Sequence, residues 1–335
     1  MFESFADFLT LGQNALELGL IYGLTALALF LSYSMLNVCD LSTDGCFTLG
    51  SVVGAMFIVY GPAWFPDSGL PLWFWSVMSI VAAMLAGSLS GLVTAVLQTR
   101  MGVQSLLAGI VVNTALYSVN LAISGNQVRV NMNSTFKKTY ETVFTESKAL
   151  LQDTPFAQQS SLFVALAAVA LVILFLSLFL RTRIGLSIRA TGSNPDMVRS
   201  SSINPAFTTT VGLCISNSIT ALSGCLLAQH QKVHDINIGI GVVTVALASL
   251  LIGGVFMRRG PIAVRALLVV VGAFIFRMVY AVALRLNMPT NMLRAVSAVI
   301  VVLTISVPHF INAGKRLHRR RQANRERGQA VRADH

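Results

Sequence analysis

The chain has 335 residues, 55% of them hydrophobic and 11% charged, against about 25% charged in ordinary soluble domains. That surface is too apolar for a water-soluble fold of this length, and lipid removes the need for a charged exterior. The net charge of +11 does not mark a nucleic-acid face: no Lys or Arg precedes Arg100, and the densest basic run is the tail from Lys315 to Arg332, so no nucleic-acid partner is expected.

The first apolar stretch, Ala15–Met35, follows a start that carries Glu3 and Asp7 and lacks the basic residues of a signal peptide, so it is expected to stay as a span. About 20 apolar residues cross the hydrocarbon core. Further spans follow at Phe47–Tyr60, Leu72–Leu97, Val103–Ile123, Leu162–Leu180, Phe207–Leu227, Val242–Phe256, Ile262–Leu284 and Met292–Ile311. Phe47–Tyr60 and Val242–Phe256 are short enough to be tilted, kinked or re-entrant. The expected fold is an all-α polytopic bundle of eight to ten helices filling residues 1–311, with a basic tail over 312–335. Basic residues flanking spans mark the inside. Arg100, the segment 181–205, Arg258 with Arg259, and the tail are therefore placed in the cytoplasm. The acidic N-terminus and the loop 125–160 are placed outside. Small residues four apart (Gly19 with Gly23, Gly50 with Gly54, Gly87 with Gly91) let helix backbones approach closely in lipid.

Few side chains in these spans could carry chemistry. Asp40 and Asp44 sit in the turn 37–45, where they either cap the second helix or face a translocation pathway. Asn113, Tyr117, Asn120 and Ser124 recur at spacings of four, three and four, which puts them on one helix face; Asn217, Thr220 and Gly224 form a weaker stripe. Either stripe glues helices together or lines a wet route. Arg277, deep in an apolar span, needs an anion. It holds a substrate carboxylate, pairs with Asp40 or Asp44, or snorkels outward. His230 and His234 read as a solvated turn rather than a metal site. The cysteines, Cys39, Cys46, Cys214 and Cys225, lack metal-ligand spacing and read as small buried residues. No phosphate-cradling Gly-x-x-x-x-Gly-Lys loop, Gly-x-Ser-x-Gly or His-Glu-x-x-His is present, so neither a nucleotide site nor an enzyme is expected on this chain.

The segment 181–205 is polar and punctuated by Gly and Pro, and Asn194-Pro195 suits the start of a short helix. It reads as a cytoplasmic elbow. Its residues Gly185, Arg189, Ala190, Gly192 and Asn194 match the Gly-x-x-x-Arg-Ala-x-Gly-x-Asn pattern of permease subunits in ABC importers of the branched-chain amino acid and ribose group. Where that group has a Gly-Ile shortly afterwards, Ser202-Ile203 stands here. The stretches 23–27, 40–50, 106–110 and 115–118, with Phe276-Arg277, resemble the branch associated with tryptophan and tyrosine uptake. The resemblance runs from about Gly19 to Pro308. It implies a type II-like permease, working as a homodimer or pseudo-dimer in the inner membrane, with its C-terminus cytoplasmic. A cytoplasmic ATPase, holding ATP and Mg, would dock on Gly185, Arg189, Ala190, Gly192, Asn194 and Pro195. An extracellular solute-binding protein would deliver the solute, an amino acid with an aromatic one foremost. Transport would run by alternating access past Asp40, Asp44, Asn113, Tyr117, Asn120, Asn217 and Arg277, with no cofactor on this chain. A stand-alone ion-coupled transporter or channel is the alternative.

Overall fold

A computed structural model describes residues 5–64, 71–132, 141–150, 159–256 and 260–285, with 295, 298, 299, 302 and 306 beyond them. The ninth predicted span and the basic tail fall essentially outside these. The helices run α1 (Phe5–Leu29), continued by a π-helical turn Phe30–Met35, α2 (Thr43–Trp64), α3 (Leu72–Thr99) and α4 (Ser105–Ile123). A short strand β1 (Arg129–Asn131) and helix α5 (Val143–Leu150) precede α6 (Ser160–Phe179). The elbow forms α7 (Arg183–Ser193) and α8 (Pro195–Ser200); then come α9 (Pro205–Gln231), β2 (Val233–Asp235), α10 (Val242–Phe256) and α11 (Ile262–Arg285).

Among the described residues, seven helices are long and apolar enough to cross a membrane. They match seven of the nine predicted spans, and α10 is the eighth. The span predicted as short, Phe47–Tyr60, is longer than expected: α2 takes in Thr43, Asp44, Gly45 and Cys46 before it and Pro62 near its end. By contrast, α10 has 15 residues, about 22 Å of helix against about 30 Å of hydrocarbon. It is a part-span.

Helix α9 is the axis of the bundle. Helix α2 runs parallel to it: a Cβ at Gly50 would strike the backbone of Ala221, one at Gly54 would lie 2.5 Å from Cys225 Sγ, and one at Gly224 would strike the carbonyl of Phe47. Helix α1 runs antiparallel, with Ser223 Oγ donating to the Ile21 carbonyl at 2.6 Å and Ser216 Oγ to the Ala28 carbonyl at 2.8 Å. Gly87 and Gly91 of α3 meet the α9 backbone at Asn217 and Leu213, while Gly19 and Gly23 of α1 meet Phe274 and Val270 of α11. All three glycine pairs read from the sequence thus sit at helix crossings. The apolar core spreads from Leu24, Leu27 and Phe30 to Leu213, Leu222 and Leu227. The large exposed side chains of α3, α4 and α6 are apolar, among them Leu85, Leu89, Leu107, Val111, Leu171 and Leu174, as lipid-facing surfaces require.

The two ends of the bundle differ. At one, antiparallel β1 and β2 pair Val130 with His234, over Ala55, Ile58 and Ala228. At the other lies the elbow.

Candidate functional site

Two breaks in the helices shape the interior. The first is the turn 36–42 between α1 and α2; the second is the stretch 232–241 between α9 and α10. The second runs back along α2: His234 Nδ1 lies 2.8 Å from Ser51 Oγ, and Gly239 packs on the Asp44 carbonyl, where a Cβ would not fit. Irregular backbone at such depth is tolerated only where protein or a cavity satisfies it. The Asp44 carboxylate does so, accepting the backbone N–H of Gly241 at 3.0 Å and of Val243 at 2.8 Å. Asp44 therefore caps α10, some 200 residues away in the chain, rather than the helix it belongs to. An acceptor carboxylate there also faces the positive end of the α10 dipole.

Asp40 is 1% exposed. Its Oδ1 accepts the Ser42 N–H at 2.8 Å, an Asx turn leading into α2, and its Oδ2 accepts Asn217 Nδ2 of α9 at 3.0 Å. Asn217 Nδ2 also lies 3.3 Å from Ser42 Oγ, which takes the hydroxyl of Thr94 on α3 at 3.3 Å. One turn and two helices thus meet on a buried polar network. Asn120, also 1% exposed, donates to the Gly45 carbonyl at 3.1 Å, and Asn113 Oδ1 packs against Gly45. Tyr117 is 51% exposed, at the rim of that face. Thr220 is buried and bonds back to the Ser216 carbonyl at 3.1 Å.

Arg277 does not pair with Asp40 or Asp44, whose oxygens are taken as described. Its guanidinium carbon lies 4.1 Å from the Tyr22 ring centroid and 5.0 Å from that of Tyr280, and Nε has no hydrogen-bond acceptor among the described residues. Tyr22 in turn stacks on Phe47 at 5.8 Å. Helices α1 and α11 so set two aromatic rings against one cation by cation–π attraction, with Phe47 of α2 stacked on Tyr22.

The sequence reading missed Glu17. It lies inside the first apolar stretch, is 6% exposed, and sits 3.1 Å from His230 Nε2, with the Phe144 ring edge-on to that imidazole. His234 is fully buried. The expectation of a solvated histidine turn is therefore corrected: the chain after α9 folds inward instead of leaving the bundle. A glutamate in one apolar run and a histidine closing another was the available signal. Cys46 and Cys225 are buried, Cys39 and Cys214 half-buried, and no group of three or more metal-ligating side chains occurs among the described residues.

At the elbow, Thr182 Oγ1 caps α7 by accepting the Gly185 N–H at 3.2 Å. Asn194 Oδ1 caps α8 by accepting from Asp196 and Met197, each at 3.1 Å, with Pro195 in the first turn. Asn204 Oδ1 caps α9 at the Ala206 N–H. Gly185 lies against the Phe179 carbonyl and Gly192 against the Met35 carbonyl, so both glycines seat the elbow on the bundle. Arg189 and Ala190 stay exposed. Ser202, at the glycine position of the group's pattern, has φ +60°, a region where glycine carries no Cβ penalty.

The family model described as branched-chain amino acid transport system / permease component matches residues 13–305. The chain is 30% identical over 283 residues to the tyrosine transport system permease protein of Clostridioides difficile, covering 84% of this chain and 86% of that one. It is 26% identical over 236 residues to the galactofuranose transporter permease protein of Escherichia coli, covering 70% and 64%. No solved structure matches the chain. With the helical bundle and elbow described above, these matches show that the chain is a multi-pass membrane protein belonging to the branched-chain amino acid transport permease family.

Proposed function

We propose that this chain is the permease of an ATP-driven importer in the inner membrane, and that it moves an aromatic amino acid by alternating access. The observation that carries the substrate class is Arg277: a cation in a membrane span, without an acidic partner among the described residues, lying against Tyr22 and Tyr280. A carboxylate supplies the missing anion in bidentate form, and the rings offer a face to an aromatic side chain. The tyrosine transport relative is consistent with this. The elbow end carries Arg100, Arg181, Arg183, Arg189, Arg199 and Arg265, which supports a cytoplasmic elbow and, with it, the tail on the same side. A separate ATPase holding ATP and Mg would dock there, a solute-binding protein at the opposite end, and a second copy of the chain would complete the pathway. Each partner drives the cycle only by binding the two membrane states with different affinity.

In proteoliposomes reconstituted with the ATPase and binding protein, Arg277→Ala is expected to lower tyrosine uptake more than tenfold, with the complex still assembled. Arg277→Lys, which keeps charge but not the fork, is expected to retain part of it. Unchanged uptake in Arg277→Ala would remove the assignment. Uptake by the chain alone, driven by an ion gradient without nucleotide, would favour a secondary transporter. Replacing Arg189 or Asn194 by Ala is expected to uncouple ATP hydrolysis from uptake. For Asn194 the lost cap costs the local helix about 1 kcal/mol. Hydrolysis that stays stimulated by solute and coupled to uptake in both variants would dismiss the docking site.

A further inference from the structure

The end of α1 is wound one residue too wide. From Phe30 to Met35 it is π-helical, and the Leu36 N–H donates to the Leu31 carbonyl at 3.1 Å. A π turn holds one residue more than an α turn, and single π turns inside α-helices concentrate at functional sites. The segment contains neither Gly nor Pro, so no helix breaker accounts for it. Tyr33 is 41% exposed, whereas Phe30, Leu31, Ser32 and Met35 are buried.

The end of this turn is held from two sides. On the elbow side, Gly192 of α7 packs on the Met35 carbonyl and the Leu36 backbone, and the Leu36 side chain packs on Gly212 of α9. The hydroxyls of Thr191 and Thr208, 2.8 Å apart, pin α7 to the first turn of α9. On the interior side, Asn37 takes a left-handed φ of +57°, and the chain then reaches Asp40, whose carboxylate accepts Asn217 Nδ2 at 3.0 Å. Leu41 packs on Gly109 of α4, and Asp44 caps α10. The elbow, the end of α1, Asp40 and the start of α10 therefore form one unbroken run of contacts. The chain between Leu36 and Asp40 is too short to absorb a displacement of either end.

A π turn has two arrangements that satisfy its backbone. The extra residue stays where it is, or it passes along the chain and leaves α-helical bonds behind it. Passing it on turns the residues beyond by about 100° and shifts them about 1.5 Å. An element with two discrete arrangements is what carries coupling between distant sites.

Resting on the reading of this chain as an ATP-driven permease, we infer that the π turn is the joint between elbow and interior. Leu36 is then a positioning residue that carries elbow movement to the Asp40–Asn217 contact. In one membrane state the turn stands as described and the contact is made. In the other the turn rewinds, Asp40 is drawn off Asn217, and Asp44 moves with it at the start of α10.

The test uses the complete transporter, permease with ATPase and binding protein, in proteoliposomes with tyrosine. Deletion of Tyr33 removes the extra residue and fixes an α-helical register, whereas Tyr33→Ala removes the same side chain and keeps the register. The deletion is expected to capture the ATPase normally but to cut tyrosine-stimulated hydrolysis and uptake at least about tenfold. Tyr33→Ala is expected to stay coupled like the wild type. Coupled uptake in the deletion overturns the joint, and so does an equal loss in Tyr33→Ala. Lost ATPase capture in the deletion makes the turn a support for docking, which overturns the joint as well. If the deletion does not fold, Leu36→Ala reports in its place. Its coupling loss is expected to be rescued by Leu36→Met, which keeps the volume, and not to add to the loss in Asn217→Ala, because both act on one contact. Additive losses overturn the proposal. A wild type that takes up no tyrosine, or takes it up without nucleotide, removes the importer reading, and the joint with it.

Discussion

Gly50→Val is expected to leave no folded permease in the membrane. At Gly50 the backbones of α2 and α9 touch: an added Cβ would overlap the Ala221 carbonyl oxygen and come within 2.5 Å of its Cα. A backbone obstacle cannot swing aside as a flexible side chain can, so the helices must separate along their length. Separation undoes the neighbouring contacts as well, Gly54 with Cys225 and Gly224 with Phe47, and breaks the Cys46–Asn217 hydrogen bond of 3.2 Å. Overpacking a well-filled core typically costs about 1–3 kcal/mol, and two branched methyl groups against backbone belong at or above the upper end. Set against a total stability of about 5–15 kcal/mol, that is enough to send most of the protein to degradation. Monodisperse yield after detergent extraction, followed by size-exclusion chromatography, measures this. Gly12→Ala is the control: nothing lies within 4 Å of its added Cβ, and helix propensity gains up to about 1 kcal/mol. Equal yields of Gly50→Val and wild type would show that α2 and α9 do not cross as described.

Asp44→Ala is expected to release the start of α10 while the rest of the bundle stays folded. Its carboxylate is the acceptor for the N–H groups of Gly241 and Val243. Removing it orphans both in a region where water reaches poorly. Hydrogen bonds to a charged group are worth about 1.5–3 kcal/mol each, so a loss of about 3 kcal/mol or more is expected. Asp44→Asn keeps one carbonyl acceptor and is expected to lose roughly half as much. Hydrogen exchange read at residues 241–246 separates this local opening from global unfolding, because α1 and α9 should keep their protection. Faster exchange spread evenly over α1, α9 and α10 would count against a local cap.

The long spans were legible because twenty apolar residues in a row have one common explanation in a chain this poor in charge. The glycine pairs were legible for a similar reason, since a four-residue spacing places both on one face whatever the partner helix is. The partners were not. Asp44 reads as the cap of its own helix, and nothing local links it to Gly241, 197 residues later. Glu17 is hidden by the average over its apolar neighbours, and only its pairing with His230, across 213 residues, explains why a carboxylate stands there. Helical spacing put Tyr117 with Asn113 and Asn120, and it lies at the exposed rim of that face. At the elbow more was visible, because Asn194-Pro195 is a capping signal that acts on the next few residues and needs no distant partner.

The central position of α9 has a consequence for how this chain tolerates change. In its best membrane-spanning window 78% of residues are buried, against 28% in α4 and in α6. Helix α9, which shares the lowest mean hydropathy of the long helices with α2, therefore lies at the heart of the molecule, and α6, the most apolar, lies on its skin. A saturating mutational survey would come out inverted relative to a water-soluble protein: α4 and α6 would accept almost any hydrocarbon side chain over long stretches, whereas the small and hydroxylated residues of α9 would scarcely vary. Over evolutionary time the outward helices would drift in identity while keeping their character, and α9 would keep its spelling.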